Sequence, residues 1–289
     1  MSAVSIPPDW PLRQYSRSLR VGAIDWHVQV LGQGPTVLLL HGTGGATHSW
    51  ADVAQALAGE VTVVIPDLPG HGYTTGAALA DLTLPRMTLH LQGLLQALGL
   101  PAPALVAGHS AGAALALRLA LDGPANTAAP RVLGFAPSLV EPPAAYTRYL
   151  APLINPVATA NPVARLMARV AAPSGLIDML LGSTGSKLTP AQRALYKRLF
   201  ANPAHVRGAV GFMAGADLPA LNVDCARLAS PVAMVLGQQD KWIPERLLRP
   251  VIARHLPQAD VQVWPGGHLV HEEEPARAAA RVLALLQEP

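Results

Sequence analysis

The stretch Leu105-Val106-Ala107-Gly108-His109-Ser110-Ala111-Gly112 constrains this chain more than any other. A short apolar run enters a serine flanked by small residues and leaves as the helix-forming Ala113-Ala114-Leu115-Ala116-Leu117-Arg118-Leu119-Ala120. It reads as strand, sharp turn and helix. In a G-x-S-x-G turn the serine sits on a strained backbone that passes close to its neighbours. Glycines two positions before and two after it leave the room that a Cβ would fill. Ser110 is therefore expected to stand exposed at the end of a central strand.

Strands and helices alternate on both sides of this unit. Residues 16–22 and 24–31 read as two short strands separated by a turn at Gly22-Ala23, and Gly32-Gln33-Gly34-Pro35 then breaks the chain. Residues 36–40 and 61–65 are continuous apolar runs of strand length, the pattern of strands covered on both faces. Helices are expected over 46–57 and over 83–98, where Leu84, Met87, Leu91, Leu94, Leu95 and Leu98 recur at helical spacing up to Gly99. A further strand is expected over 132–135. After an interruption the alternation resumes with a strand over 232–237, a helix over 245–255, a strand over 261–264 and a helix over 275–286. This order predicts an α/β fold with a doubly wound, mostly parallel eight-stranded sheet.

The interruption spans 138–216. It holds no strand-like run, only Pro-punctuated helical segments such as 163–170, 176–181 and 190–200, and reads as a helical cap inserted into a core of 1–137 and 217–289. Its charge also departs from the rest. Eight basic residues (Arg148, Arg165, Arg169, Lys187, Arg193, Lys197, Arg198, Arg207) against Glu141 and Asp178 give it +6, in a chain whose total is +3.

With 289 residues and 51% apolar side chains, the chain is long enough for one large domain with an insertion and a substantial core. No apolar run has the length of a membrane span, and residues at the start lack the basic-then-apolar profile of a signal peptide, so a cytoplasmic location is expected. Cys225 is the only cysteine, which excludes an intramolecular disulfide and a cysteine metal site. Neither G-x-G-x-x-G nor G-x-x-x-x-G-K-[ST] occurs, so no nucleotide cofactor and no nucleic-acid partner are expected.

A serine hydroxyl needs a base to take its proton, and that base needs an acid to hold its tautomer. Partners are expected on loops beyond later strands, in the order serine, acid, histidine. Asp240 follows the strand ending at Gly237, and His268 follows Trp264-Pro265-Gly266-Gly267. Asp217 and Asp224 are alternatives for the acid, and His271 for the base. The developing oxyanion needs donors, expected from the backbone N–H groups of Ala111 and Thr43. His41, His71 and His109 flank the same face. They lack carboxylate or cysteine partners at ligand spacing and read as loop packing, so no metal is expected.

The motifs His41-Gly42-Thr43-Gly44-Gly45, Pro66-Asp67-Leu68-Pro69-Gly70-His71-Gly72, Gly108-His109-Ser110-Ala111-Gly112, Gly237-Gln238-Gln239-Asp240 and Gly267-His268 together resemble the α/β-hydrolase superfamily. The resemblance implies acyl chemistry at Ser110, Asp240 and His268, and so a serine hydrolase acting on an ester or related acyl bond. More narrowly, residues 43–50, 113–123 and 266–273 are similar to magnesium-chelatase accessory hydrolases of bacteriochlorophyll gene clusters. That likeness implies a place around magnesium-porphyrin synthesis, either as an enzyme or as a pigment-binding or chelatase-assisting module in which the three residues are dispensable.

The insertion combines Tyr146, Tyr149, Phe200, Phe212, Met167, Met179 and Met213 with its eight basic residues. An apolar lining with cationic edges would suit a large flat substrate bearing carboxylates, such as a porphyrin. The plainer expectation is that these side chains pack the insertion onto the core while Arg and Lys solvate it. Attachment to a membrane surface through the basic segment is a third expectation.

Overall fold

The computed structural model describes residues 5–123, 129–141, 157, 159–171 and 175–288. Eight strands form one sheet: β1 (Ser16–Val21), β2 (Ile24–Leu31), β3 (Thr36–Leu40), β4 (Thr62–Pro66), β5 (Leu105–His109), β6 (Arg131–Phe135), β7 (Val232–Gly237) and β8 (Asp260–Trp264). Their order is β1-β2-β4-β3-β5-β6-β7-β8. β1 and β2 pair antiparallel and β2 meets β4 antiparallel, whereas every pairing from β4 to β8 is parallel.

The central strands are buried throughout because alternate side chains serve two separate cores. From β3, Leu38 and Leu40 join the cluster on one face, while Val37 and Leu39 join the cluster on the other. β5 divides in the same way, with Val106 on the first side and Leu105 and Ala107 on the second. Helices α1 (Ala51–Leu57), α2 (Leu84–Ala97) and α3 (Ala111–Leu121) supply much of the covering. Edge strand β1 shows only exposed and half-buried residues, which is why its sequence is mixed rather than uniformly apolar.

Between β6 and β7 the described residues form α4 (Asn161–Ala171), α5 (Leu176–Ser183), α6 (Pro190–Phe200), α7 (Pro203–Gly215) and α8 (Leu218–Asp224). The last part of the chain adds α9 (Glu245–His255), the short α10 (Val270–Glu273) and α11 (Pro275–Gln287). Among the described residues no helix is long and apolar enough to cross a membrane.

One local expectation changes. The helix expected over 46–57 begins instead as a 3-10 turn at Thr47–Trp50, where the Thr47 amide donates to the Asp67 carboxylate at 2.7 Å and its hydroxyl accepts from Trp10 Nε1 at 2.9 Å. α7 carries no clear apolar period since Gly208 and Gly211 interrupt it. Gly208 lies against the backbone of Gly70, where a Cβ would run into the Gly70 carbonyl. Phe212 is fully buried in the first core cluster, and Phe200 packs beside Leu269 and Tyr196. Met167, Met179 and Met213 are exposed. Tyr146, Tyr149 and Arg148 lie outside the described residues.

Candidate active site

β5 runs into α3 through Ser110, whose φ of 52° and ψ of −118° lie where non-glycine residues rarely go. Such a conformation costs roughly 1–3 kcal/mol and persists only when the surroundings fix it. Here they do. The Ser110 amide donates to Phe135 O at 2.9 Å, and its carbonyl accepts from Ala113 N at 3.0 Å and Ser138 N at 3.1 Å. The turn also depends on both glycines. A Cβ on Gly108 would strike the Gly112 carbonyl, and one on Gly112 would strike the carbonyls of Leu40 and His41.

Asp240 sits three residues beyond β7 and His268 four beyond β8, so parallel strands deliver both side chains to the edge where Ser110 emerges. His268 Nε2 lies 3.0 Å from Ser110 Oγ, and Nδ1 lies 2.8 Å from Asp240 Oδ2. The Asp240 and His268 side chains are only 1% and 4% exposed. Asp240 Oδ1 accepts from the amides of Trp242 (2.8 Å) and Ile243 (2.9 Å), which fixes the carboxylate. Chemically, this arrangement can pass a proton from the hydroxyl to the imidazole while the carboxylate orients the ring.

The Ala111 amide is at the first position of α3, where no helical carbonyl is available to it. Among the described residues neither that amide nor the Thr43 amide donates a hydrogen bond to another group. Thr43 precedes Gly44, which takes a φ of 78° and leaves no room for a Cβ against Phe200.

Residues 37–282 match the model of the alpha/beta hydrolase family. The chain belongs to the α/β-hydrolase family. It is 37% identical to the magnesium-chelatase 30 kDa subunit of Rhodobacter capsulatus, over 94% of each chain. It is 30% identical to the pimeloyl-[acyl-carrier protein] methyl ester esterase of Chromobacterium violaceum, over 89% of this chain and 97% of that one. An α/β-hydrolase-fold protein from Burkholderia ambifaria superposes with a TM-score of 0.73 at 25% identity, covering 93% of this chain and 99% of that chain.

Within this α/β-hydrolase the alternative acids and base are engaged elsewhere. Asp217 caps α8 by accepting from Ala220 N at 3.0 Å, and Asp224 pairs with Arg118 at 2.6 Å and Arg227 at 2.7 Å. His271 lies stacked on His109, with ring centroids 4.4 Å apart, and its Nε2 is 2.9 Å from Ser49 Oγ. His41 accepts from Leu68 N at Nε2, and His71 bonds Pro69 O. Burial pushes His41 and His271 down to about 3, and His48 and His71 to about 4, so these rings are neutral near pH 7.

Several contacts at the site left no mark in the sequence. The segment after α5 reaches the His268 loop. Thr184 O accepts from His268 N (3.2 Å) and Lys241 N (3.3 Å), and Ser186 Oγ accepts from Leu269 N at 2.8 Å. Trp242 lies beside His268, 5.3 Å between ring centroids, and its indole N–H donates to Ser183 Oγ. Beneath the Thr43 loop, Asp67 is fully buried 2.6 Å from His27 Nδ1 and also accepts from the Tyr73 amide. Burial alone would raise that carboxyl, but the His27 imidazole beside it holds it well below the usual carboxylate range. Glu272 is buried too, accepting from Ser49 Oγ at 2.6 Å and Tyr196 OH at 2.5 Å. Only the glycines that permit these approaches could have signalled them.

Proposed function

We propose that this α/β-hydrolase is a serine hydrolase that cleaves an ester or related acyl bond through an acyl-Ser110 intermediate. The observation that carries the reading is the continuous line from Ser110 Oγ through His268 to Asp240, at 3.0 and 2.8 Å. His268 takes the Ser110 proton as Oγ bonds to the carbonyl carbon, and the Ala111 and Thr43 amides stabilise the resulting oxyanion. Collapse of that intermediate breaks the bond to the leaving group, which receives the proton from His268. Water then repeats the cycle and releases the acid product and free Ser110. No cofactor enters these steps.

For the substrate we infer a large, flat, mostly apolar molecule bearing carboxylates, of the porphyrin type, in bacteriochlorophyll synthesis. Supporting this are the 37% identity with a magnesium-chelatase subunit and the basic segment 138–216. Ester chemistry is supported by the 30% identity with a methyl ester esterase. Intact-mass measurement after fluorophosphonate treatment tests the core of the proposal. One adduct in the wild type and none in Ser110→Ala or His268→Ala is expected, followed by turnover of porphyrin methyl esters. Folded wild type that takes no adduct and turns over no ester would overturn it.

The same chelatase-subunit similarity favours a second reading, in which the protein assists magnesium chelatase and the three residues are dispensable. Cells carrying Ser110→Ala decide between the two. Normal pigment at normal protein level supports the second reading, and lost pigment supports the first.

A further inference from the structure

A cavity of about 430 Å³ lies between the loop that follows β4 and helices α4 and α7. Its volume falls within the usual range for small-molecule sites. Leu79 and Leu82 supply apolar surface, and Arg165, Arg207, Asn161 and Thr75 supply polar groups. None of the described lining residues is acidic. Among the described residues Arg165 makes no ion pair or hydrogen bond. Arg207 has one bond, from Nε to Thr159 O at 3.0 Å, which leaves its Nη groups without a carboxylate. On the neighbouring helix α6 the cations are matched: Lys197 and Arg193 face Asp178, and Arg198 holds Asp9. Two unmatched guanidiniums bordering one cavity without an acid create a site that favours an anion.

The arginines narrow which anion. Four amides bordering the cavity are already used: Gly72 N donates to His205 Nδ1, Thr74 N to His71 O, Thr75 N to Asp25 O and Ala204 N to Asn202 Oδ1. The planar N–H edges of the two arginines match a carboxylate, with apolar surface beside them. We propose that this cavity binds a small organic carboxylate, its charge held by Arg165 and Arg207 and its apolar body against Leu79 and Leu82. His205 forms one wall and bonds Gly44 O at 3.2 Å, so the bound molecule lies one residue layer from the Thr43 loop.

Binding is read directly, by fluorescence anisotropy of pyrenebutyrate with pyrenebutanol as the uncharged comparator, in wild type and in Ser110→Ala. Because the site does not depend on an active serine, Ser110→Ala binds as the wild type does, and failure of the hydrolase reading leaves this result unchanged. Arg165→Gln and Arg207→Gln each weaken pyrenebutyrate about tenfold, an effect that shrinks with added salt, while pyrenebutanol is unaffected. Arg165→Gln has no bond to lose on folding and carries the test if Arg207→Gln is unstable. Equal affinity for pyrenebutyrate in wild type and Arg165→Gln, or no binding below about 1 mM, overturns the proposal.

Discussion

The side chain of His109 donates from Nε2 to the main-chain carbonyl of His268, 2.9 Å away. A carbonyl only accepts, so the contact fixes the His109 tautomer, and burial keeps the ring neutral by lowering it well below the ordinary histidine value. The residue before Ser110 thus ties the backbone that carries His268. His109→Leu keeps comparable bulk and removes the donor. We expect the rate of fluorophosphonate labelling at Ser110 to fall about tenfold without being abolished. An unchanged rate would show that the rest of the loop suffices to hold His268.

Gly185 adopts a φ of 82°, and a Cβ there would collide with the Gln239 carbonyl, next to Asp240. Gly185→Ala should therefore destabilise by roughly 1–3 kcal/mol and slow labelling. Gly182 has nothing within 4 Å of a built Cβ and serves as the control. Gly182→Ala should be neutral or more stable by up to about 1 kcal/mol, since it lies in α5. Thermal melts of the two variants compare them directly.

Glu272 is held under Tyr196, and burial pushes its carboxyl up to about 7 against the hydrogen bonds from Ser49 and Tyr196. A folded value above the unfolded one means that the native state binds the extra proton between about pH 4.5 and 7, so stability falls as pH rises through that window. The buried neutral histidines act in the opposite sense, losing stability as pH drops below about 6.5. They, with Asp52, Glu273 and Tyr196, are common to wild type and Glu272→Gln and cancel in the difference. Relative to the Gln variant, the wild type should lose on the order of 2–3 kcal/mol between pH 5 and about 7.5, by urea titration. A pH-independent difference would mean that Glu272 is charged throughout.

Asp67 presents the contrary sign. Its carboxyl is held below the usual range, so its contribution is present above about pH 4 and lost as pH falls through the native value. Asp67→Ala leaves His27 and the amides of Thr47 and Tyr73 without their acceptor. A loss of about 3–5 kcal/mol at pH 7 is expected from urea titration. A loss under about 1 kcal/mol would show that the loops re-pair without it.

The sheet was legible because period and run length survive in the sequence. Thr36–Leu40 and Val232–Gly237 are uniformly apolar for the reason the fold shows, two cores meeting across one strand. Ser110, Asp240 and His268 were legible as residues at strand ends. Pairings such as His27 with Asp67, forty positions apart, leave no periodic trace. Glu272 was hidden for another reason. In a run with Glu273 and Glu274 it reads as a solvated face, and only the packing of α6 shows that it is enclosed.

A Cβ on Gly267 would strike Gly185 and Ser186, and one on Gly185 would strike the Gln239 carbonyl, so the segment after α5 lies tight against the loops bearing His268 and Asp240. Segments between strands are natural units of exchange among related proteins, and β6 and β7 mark the shortest cut. Here such a graft would remove the Thr184 carbonyl and the Ser186 hydroxyl along with the helices. A donor segment would have to restore acceptors for three amides, those of Lys241, His268 and Leu269, and a glycine at the crossing. The segment between β6 and β7 and the placement of His268 are therefore inherited together.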